Sequence, residues 1–514
     1  AKVDNDITEL GDVVTKKCNV NFFDRSSYLG YSAYTTGALF MMIVAVRRLL
    51  GEDAHVIVEH SLDKGVFCSI AGMKLDEALV NEIESEMRRL NREDHLFKKI
   101  SVSRADAIKY FKKKNRMDKV GVLKYISNTY INLYKLDDVY EYFYTKLPYS
   151  TRQINDFKIT LIEDRGFVLS CPTMLNPECT LDYVHHKSVF ESFQECGALG
   201  KRLGICNISD LNREVSNAKI SELVRLSEAH YNRQLFDISS EIYENRKQIK
   251  LVLLAGPSSS GKTTSAKKIQ TYLTSRGMNV IQLSTDDYFL NREDRPVNEK
   301  GECDFESLYC VDLDLFNKQL MQLLDGKKVE IPSYNFLTGK REYNKNYVQL
   351  GEDDIIIVEG IHALNDMLTM SIDRKQKYKI YICPLVQINI DNHSHIHTSD
   401  LRKLRRIVRD SRTRGIGAAD TLSMWGNIQK GEQQNIYPFQ DEVDVVINSS
   451  LLYEVGVLKT YAEPLLFSVS EDDETYPEAI RLINFLRNFL PIPSDDIPQD
   501  SVLREFIGGS CFEK

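Results

Sequence analysis

Eight consecutive residues constrain this chain more than any others: Gly256-Pro257-Ser258-Ser259-Ser260-Gly261-Lys262-Thr263, an unbroken G-x-x-x-x-G-K-[ST]. The run follows five apolar residues, 251–255, that read as a buried strand, and it opens a helix expected over 262–275. That order suits a loop whose backbone N–H groups converge on phosphate oxygens while the helix N-terminus adds positive potential. Lys262 can then reach the β and γ oxygens, and the Thr263 hydroxyl can hold magnesium. Gly256, Ser258, Ser259, Ser260, Gly261 and Thr264 complete the expected cradle.

From residue 250 onward, short runs rich in Val, Ile and Leu recur at 251–255, 280–284, 355–358, 379–383 and 443–447, separated by helical stretches. Strands this continuous are covered on both faces, so a doubly wound α/β domain around a parallel sheet is expected. Sheets of that kind hold ligands beyond the carboxyl ends of their strands. Asp286 and Asp287 follow the run 280–284, and Glu359 follows 355–358. A carboxylate there can complete a magnesium shell or take the proton of an attacking hydroxyl; the alternative is that these acids cap the helices that follow.

A basic stretch, 401–415, carries Arg402, Lys403, Arg405, Arg406, Arg409, Arg412 and Arg414, with apolar residues at 401, 404, 407 and 408. One helical face packs and the arginines lie on the others. A mobile lid bringing arginines over a transferring phosphoryl group is expected, against a solvated basic face or an RNA-binding helix.

The 514 residues suffice for about three domains. With 27% charged and 42% hydrophobic residues the chain has the composition of an ordinary globular protein, not of a disordered polymer. Its 66 basic against 74 acidic side chains, a formal charge of −8, argue against a whole-surface partner such as nucleic acid or an anionic membrane. The longest apolar stretch, 38–46, stops at Arg47 and Arg48, short of the roughly 20 residues that cross a bilayer. The polar first residues carry no export pattern, so a cytoplasmic location is expected. Ten cysteines without a C-x-x-C pair read as reduced thiols, with Cys303 and Cys310 the closest two.

The first 240 residues have an α+β texture, with helical patterns at 75–91 and 105–114 and strand patterns at 129–133, 157–162 and 166–169. A helix over 220–244 is expected to connect the halves, and helical patterns at 453–466 and 476–490 follow the sheet. Alternating His393, His395 and His397, and His185-His186 with Cys171 and Cys179, each suggest a metal cluster; a polar loop and ordinary core residues are preferred. Trp425 reads as a packing anchor.

With these pieces in position, residues 250–450 resemble the uridine kinase and phosphoribulokinase family of P-loop kinases. Leu283-Ser284-Thr285-Asp286-Asp287-Tyr288-Phe289 resembles the family's second-strand motif, which implies Asp286 as base, acceptor contact and magnesium-shell ligand. Asp304-Phe305-Glu306 resembles the segment that approaches the acceptor sugar, implying Phe305. Ile331-Pro332-Ser333-Tyr334-Asn335-Phe336 is similar to the stretch whose two aromatics hold the base, implying Tyr334 and Phe336. Val358-Glu359-Gly360-Ile361 matches the Walker B strand end, implying Glu359 on magnesium with Thr263. Arg405-Arg406-Ile407-Val408-Arg409-Asp410 and Arg414-Gly415 match the lid, implying Arg405 at the nucleotide and Arg409 and Arg414 in catalysis with Lys262 and Asp286. Pyrimidine kinases of the family carry a histidine where this chain has Gly339, so a purine nucleoside or another hydroxyl-bearing acceptor stays open.

Residues 36–50 and Glu59-His60-Ser61 resemble the second additional, editing-type domain of threonyl-tRNA synthetase, and residues 1–25 resemble the tail of a β-grasp module. Thr36 and Phe40 stand where that domain carries its H-x-x-x-H pair. Together the halves resemble a bacterial nucleoside kinase family with the same fusion. The implied fold is a P-loop kinase with a doubly wound parallel sheet preceded by an α+β synthetase-editing-like domain, divided as 1–25, 26–215, a helical connector 216–249, 250–450 and a helical extension 451–514. The implied activity is transfer from ATP, with Mg2+, to a small-molecule acceptor, foremost a nucleoside 5′-hydroxyl. The alternative is a nucleotide-dependent protein that uses the synthetase-like half on tRNA or the ribosome, and a third is a ligand-sensing N-terminal half. A homo-oligomer is left open.

Overall fold

The computed structural model describes residues 1–4, 6–296, 306–335 and 338–513. Five parallel strands, Leu251–Ala255, Val280–Ser284, Ile355–Glu359, Lys377–Cys383 and Val445–Asn448, form the central sheet in the spatial order 280–284, 355–359, 251–255, 377–383, 445–448. Their apolar runs are continuous because both faces are covered. Successive side chains alternate, so Val252 and Leu254 enter one core, and Leu251, Leu253 and Ala255 the other.

The first core is closed by helices Lys262–Thr274, Thr398–Arg414, Glu454–Phe467 and Tyr476–Leu486. Helix Ile220–Glu244, expected as a connector, belongs to this same layer: Leu223, Tyr231 and Leu235 are buried in it, and the Tyr231 hydroxyl meets Ser265 Oγ at 2.6 Å. The second core is covered by helix Leu313–Leu324 and by the N-terminal half, through Leu62, Phe67, Val168, Phe190 and Phe193.

In that half an antiparallel sheet of Val56–Leu62, Gly65–Ile70, Gly166–Ser170 and Lys158–Ile162, in that order, turns Phe67 and Val168 toward the second core and Val66, Cys68 and Leu169 toward its own. Helix Tyr28–Leu50 lies in the latter, with Ser27 accepting from Gly30 N as its N-cap. Its 23 residues are long and apolar enough to cross a membrane by length and composition, beyond the run 38–46, but Ala38–Val46 are at most 4% exposed inside this core. Thr36 Oγ1 meets Thr145 Oγ1 at 3.0 Å, and Phe40 is enclosed by Phe97 and Phe143. Residues 1–25 contribute three two-residue strands, Lys2–Val3, Asp6–Ile7 and Val20–Asn21.

The halves meet where the sheet leads into the basic helix. Val58 N donates to Asn392 O at 2.7 Å, Asn389 Nδ2 donates to Val58 O at 2.7 Å, and buried Lys119 pairs with Asp391 at 3.0 Å. His393 lies here against Arg116 and Glu141, while His395 contacts Ser61 and the His397 ring, so His393 stands apart from the other two and the three are not aligned on a strand. Among the described residues no His, Cys, Asp and Glu side chains gather as a metal site, and every described cysteine is a free thiol; Cys303 lies outside them.

Candidate active site

Three neighbouring strands deliver the site. In register, Leu254 pairs with Glu359 and Ser284 pairs with Glu359, so the loop after 255, the carboxylate at 359 and the turn after 284 emerge side by side at the carboxyl edge. Gly360 allows the turn to come this close: with φ of +157°, it leaves the point where a Cβ would sit only 1.8 Å from Thr285 Oγ1. The short helical turn Thr285–Tyr288 then presents Asp286 inward and lets Asp287 accept from Tyr334 N at 3.2 Å.

Within the loop, Lys262 Nζ donates to Gly256 O and Pro257 O at 3.0 and 3.2 Å, and Thr263 Oγ1 donates to Glu359 Oε1 at 3.4 Å. Ser259 takes the left-handed conformation, φ +61°, as residues in anion-binding loops do when their N–H groups must converge. The loop is braced from helix 398–414 and its neighbours. Arg402 Nε donates to Ser258 O at 2.9 Å, Arg406 to Ser258 Oγ at 2.6 Å, and Ser449 Oγ to Ser260 O at 2.5 Å.

Several arginines of the basic helix are held inside the fold, whereas Arg412 and Arg414 near its end are exposed. Arg402 is buried against Glu432. Arg405, expected at the nucleotide, is wholly buried, bonded to Glu454 at 2.6 Å and touching the loop only through Ser259 O at 3.2 Å; it positions the loop. Arg406, Arg409 and Arg414 gather round buried Asp410, at 3.1, 2.8 and 3.5 Å. Arg409 and Arg414, with Lys262 and Arg295, are also the cations that act on Asp286.

Burial dominates the electrostatics. It raises Asp286 above the usual carboxylate range despite those cations, and it lowers Lys262. Glu359 is pushed up to about 7 by burial and by the neighbouring Asp286 charge. Two carboxylates crowded beside a hydroxyl form an oxygen-rich donor set of the kind that suits magnesium. Tyr334 is buried, edge-on to Phe289, with Arg295 over both rings. Phe305 and Phe336 lie outside the described residues. Trp425 is buried beneath Arg402 and Lys403.

Glu432, Glu454, Asp410 and Glu505 carry much of this geometry and were not legible in the sequence, since each acts on a partner far along the chain or within the basic run. Ser258 N donates to Glu432 Oε1 at 3.2 Å, and Thr264 donates through N and Oγ1 to Glu505 Oε2 at 3.2 and 2.7 Å.

The model of the phosphoribulokinase / uridine kinase family matches residues 251–452. Uridine kinase of Staphylococcus epidermidis is 31% identical over 202 residues, 39% of this chain and 87% of that protein. This chain belongs to the phosphoribulokinase / uridine kinase family. Uridine kinase of Staphylococcus haemolyticus, another similar protein, is 31% identical over 199 residues, 38% of this chain and 86% of its own. A solved structure described as a possible uridine kinase from Bacillus stearothermophilus aligns with 39% of this chain and 89% of that one at 19% identity, with a TM-score of 0.27. The family region begins at the strand before the phosphate loop and ends just after the fifth strand, leaving both the N-terminal half and residues 453–514 outside it. As a family member the protein is a P-loop kinase that phosphorylates a small hydroxyl-bearing acceptor.

Proposed function

We propose that the protein transfers the γ-phosphoryl group of ATP to the 5′-hydroxyl of a nucleoside. The observation that carries this reading is the adjacency of Asp286, Glu359 and Lys262 at the ends of three neighbouring strands. Phosphoryl transfer asks a protein chiefly to align the hydroxyl and cancel charge. Lys262, Arg409 and Arg414 supply positive charge, and the loop from Gly256 to Thr264 binds phosphate oxygens through Ser258, Ser259, Ser260 and Gly261. Asp286 orients the acceptor hydroxyl and takes up its proton, a role that burial favours by raising the carboxyl's affinity for that proton. Thr263, Glu359 and Asp286 would hold Mg2+, which supplies neutralisation of the β and γ oxygens when bound.

Tyr334, with Phe305 and Phe336, is assigned to the acceptor. The names of the Staphylococcus relatives support a nucleoside as acceptor. Gly339, at φ +70° against the Arg292 side chain, offers no imidazole to read a pyrimidine. The N-terminal half is read as a synthetase-editing-like domain without hydrolytic chemistry, since Thr36 and Phe40 offer no ligand pair. The test presents a panel of purine and pyrimidine nucleosides and free sugars with radiolabelled ATP. A labelled nucleoside 5′-monophosphate is expected; label in a sugar alone would overturn the nucleoside assignment.

A further inference from the structure

The tail of the chain, beyond the family region, reaches back onto the phosphate loop. Helix 262–274 begins at Gly261, which has no side chain to cap it, so the N–H groups of its first turn depend on an outside acceptor. Glu505 provides one. Its carboxylate accepts both the main-chain N–H of Thr264, at 3.2 Å, and the Thr264 hydroxyl, at 2.7 Å. The surrounding segment is seated with it. Val502 packs where a Cβ on Gly261 would stand, 2.4 Å away, Arg412 of the basic helix donates to Glu505 O and Phe506 O at 3.1 and 3.3 Å, and Lys267 donates to Phe512 O at 2.6 Å. Glu505 also acts on Lys262 and Glu359 through its charge.

We propose that Glu505 is an internal stand-in for a nucleotide phosphate: its carboxylate occupies the Thr264 donors and must leave them when a nucleotide enters, so that Glu505, on a segment anchored in the core by Val502, Leu503 and Phe506, gates the cradle. The first-turn N–H groups of a phosphate-loop helix are the donors for the α- and β-phosphates. A carboxylate and a phosphate cannot share them, since both are acceptors and both are anionic. The apparent affinity for nucleotide is therefore reduced by the fraction of molecules in which Glu505 is docked. The inference rests on the nucleotide-binding role proposed for the loop. A capping role for Glu505 alone would stabilise the helix and would not set nucleotide affinity.

The test titrates wild-type protein, Glu505→Gln and Arg412→Ala with ATP, AMP and adenosine by calorimetry, and follows hydrogen exchange of the amides of residues 503–508 with and without ATP. Both substitutions are expected to tighten ATP and AMP about tenfold, the scale of one charge-assisted contact, and to leave adenosine unchanged. In the wild type, ATP is expected to speed exchange at 503–508. Unchanged or weaker ATP binding by Glu505→Gln, or ATP-induced protection of 503–508, would overturn the gate while leaving the nucleotide site intact. A wild-type protein that binds neither ATP nor AMP would instead remove the nucleotide role itself.

Discussion

Thr263 and Glu359 face each other across 3.4 Å, tying the first turn of the phosphate-loop helix to the end of the adjoining strand. A hydroxyl and a carboxylate held this way form two corners of an oxygen site for a small hard cation. Glu359→Gln keeps the shape and removes the charge. It is expected to raise the magnesium concentration needed for half-maximal turnover at least tenfold, measured by initial rates across a magnesium series, with thermal stability of the metal-free protein unchanged or higher because a buried carboxyl is neutralised.

Lys262→Ala and Asp286→Asn should each cut turnover by about two powers of ten or more, the usual consequence of removing one electrostatic contributor from a preorganised site. Circular dichroism melts are expected to show both proteins folded. Near-normal turnover in either would contradict the roles proposed for them.

Gly360→Ala is expected to be a packing lesion at the centre of the site. Thr285 Oγ1 stands 1.8 Å from the new methyl carbon, so the Asp286 turn must move. A destabilisation of about 1–3 kcal/mol follows from overpacking of this kind, and the loss of activity should exceed what stability alone explains. Urea unfolding read beside kcat at a temperature where the variant is folded separates the two effects.

The contribution of the buried histidines to stability should fall as pH drops from about 6.5 toward 4, against an opposite contribution from Glu359, whose raised carboxyl takes up its proton in the folded chain over the same window. His60 is buried flat against Phe193, with ring centroids 3.8 Å apart, and burial lowers it from the ordinary 6.5 to about 4. In that window the unfolded chain binds the proton and the folded chain does not, so the contribution is complete above 6.5 and roughly 3 kcal/mol smaller at the lower end. His362, lowered to about 4 by burial, adds to the same trend. His60→Phe, which retains the aromatic contact, is expected to gain stability relative to the wild type as pH falls, in melts taken at pH 7, 5.5 and 4.5.

Much of this architecture could be read before any coordinates. The strand boundaries at 251–255 and 280–284 and the helix 220–244 agree to the residue, because continuous Val, Ile and Leu runs and a 3.6-residue period are local properties. The strand ends also put Glu359 and the turn carrying Asp286 beside the loop. The behaviour of the basic helix was not legible. The run 401–415 does not show that Arg402, Arg405 and Arg409 meet Glu432, Glu454 and Asp410, and two of those acids lie more than twenty residues away. Glu505 was hidden for the same reason: its partner Thr264 is 241 positions distant. Sequence periodicity reports which face of an element is covered, and is silent on which charge meets which.

The placement of strand 355–359 between 251–255 and 280–284 has one more consequence. Parallel neighbours in a sheet are about 4.8 Å apart, so the phosphate loop and the aspartate turn spring from origins roughly 10 Å from one another. The sheet thus works as a ruler. Its hydrogen-bond spacing, which no single side chain can compress or stretch, sets the span across which donor and acceptor must be bridged.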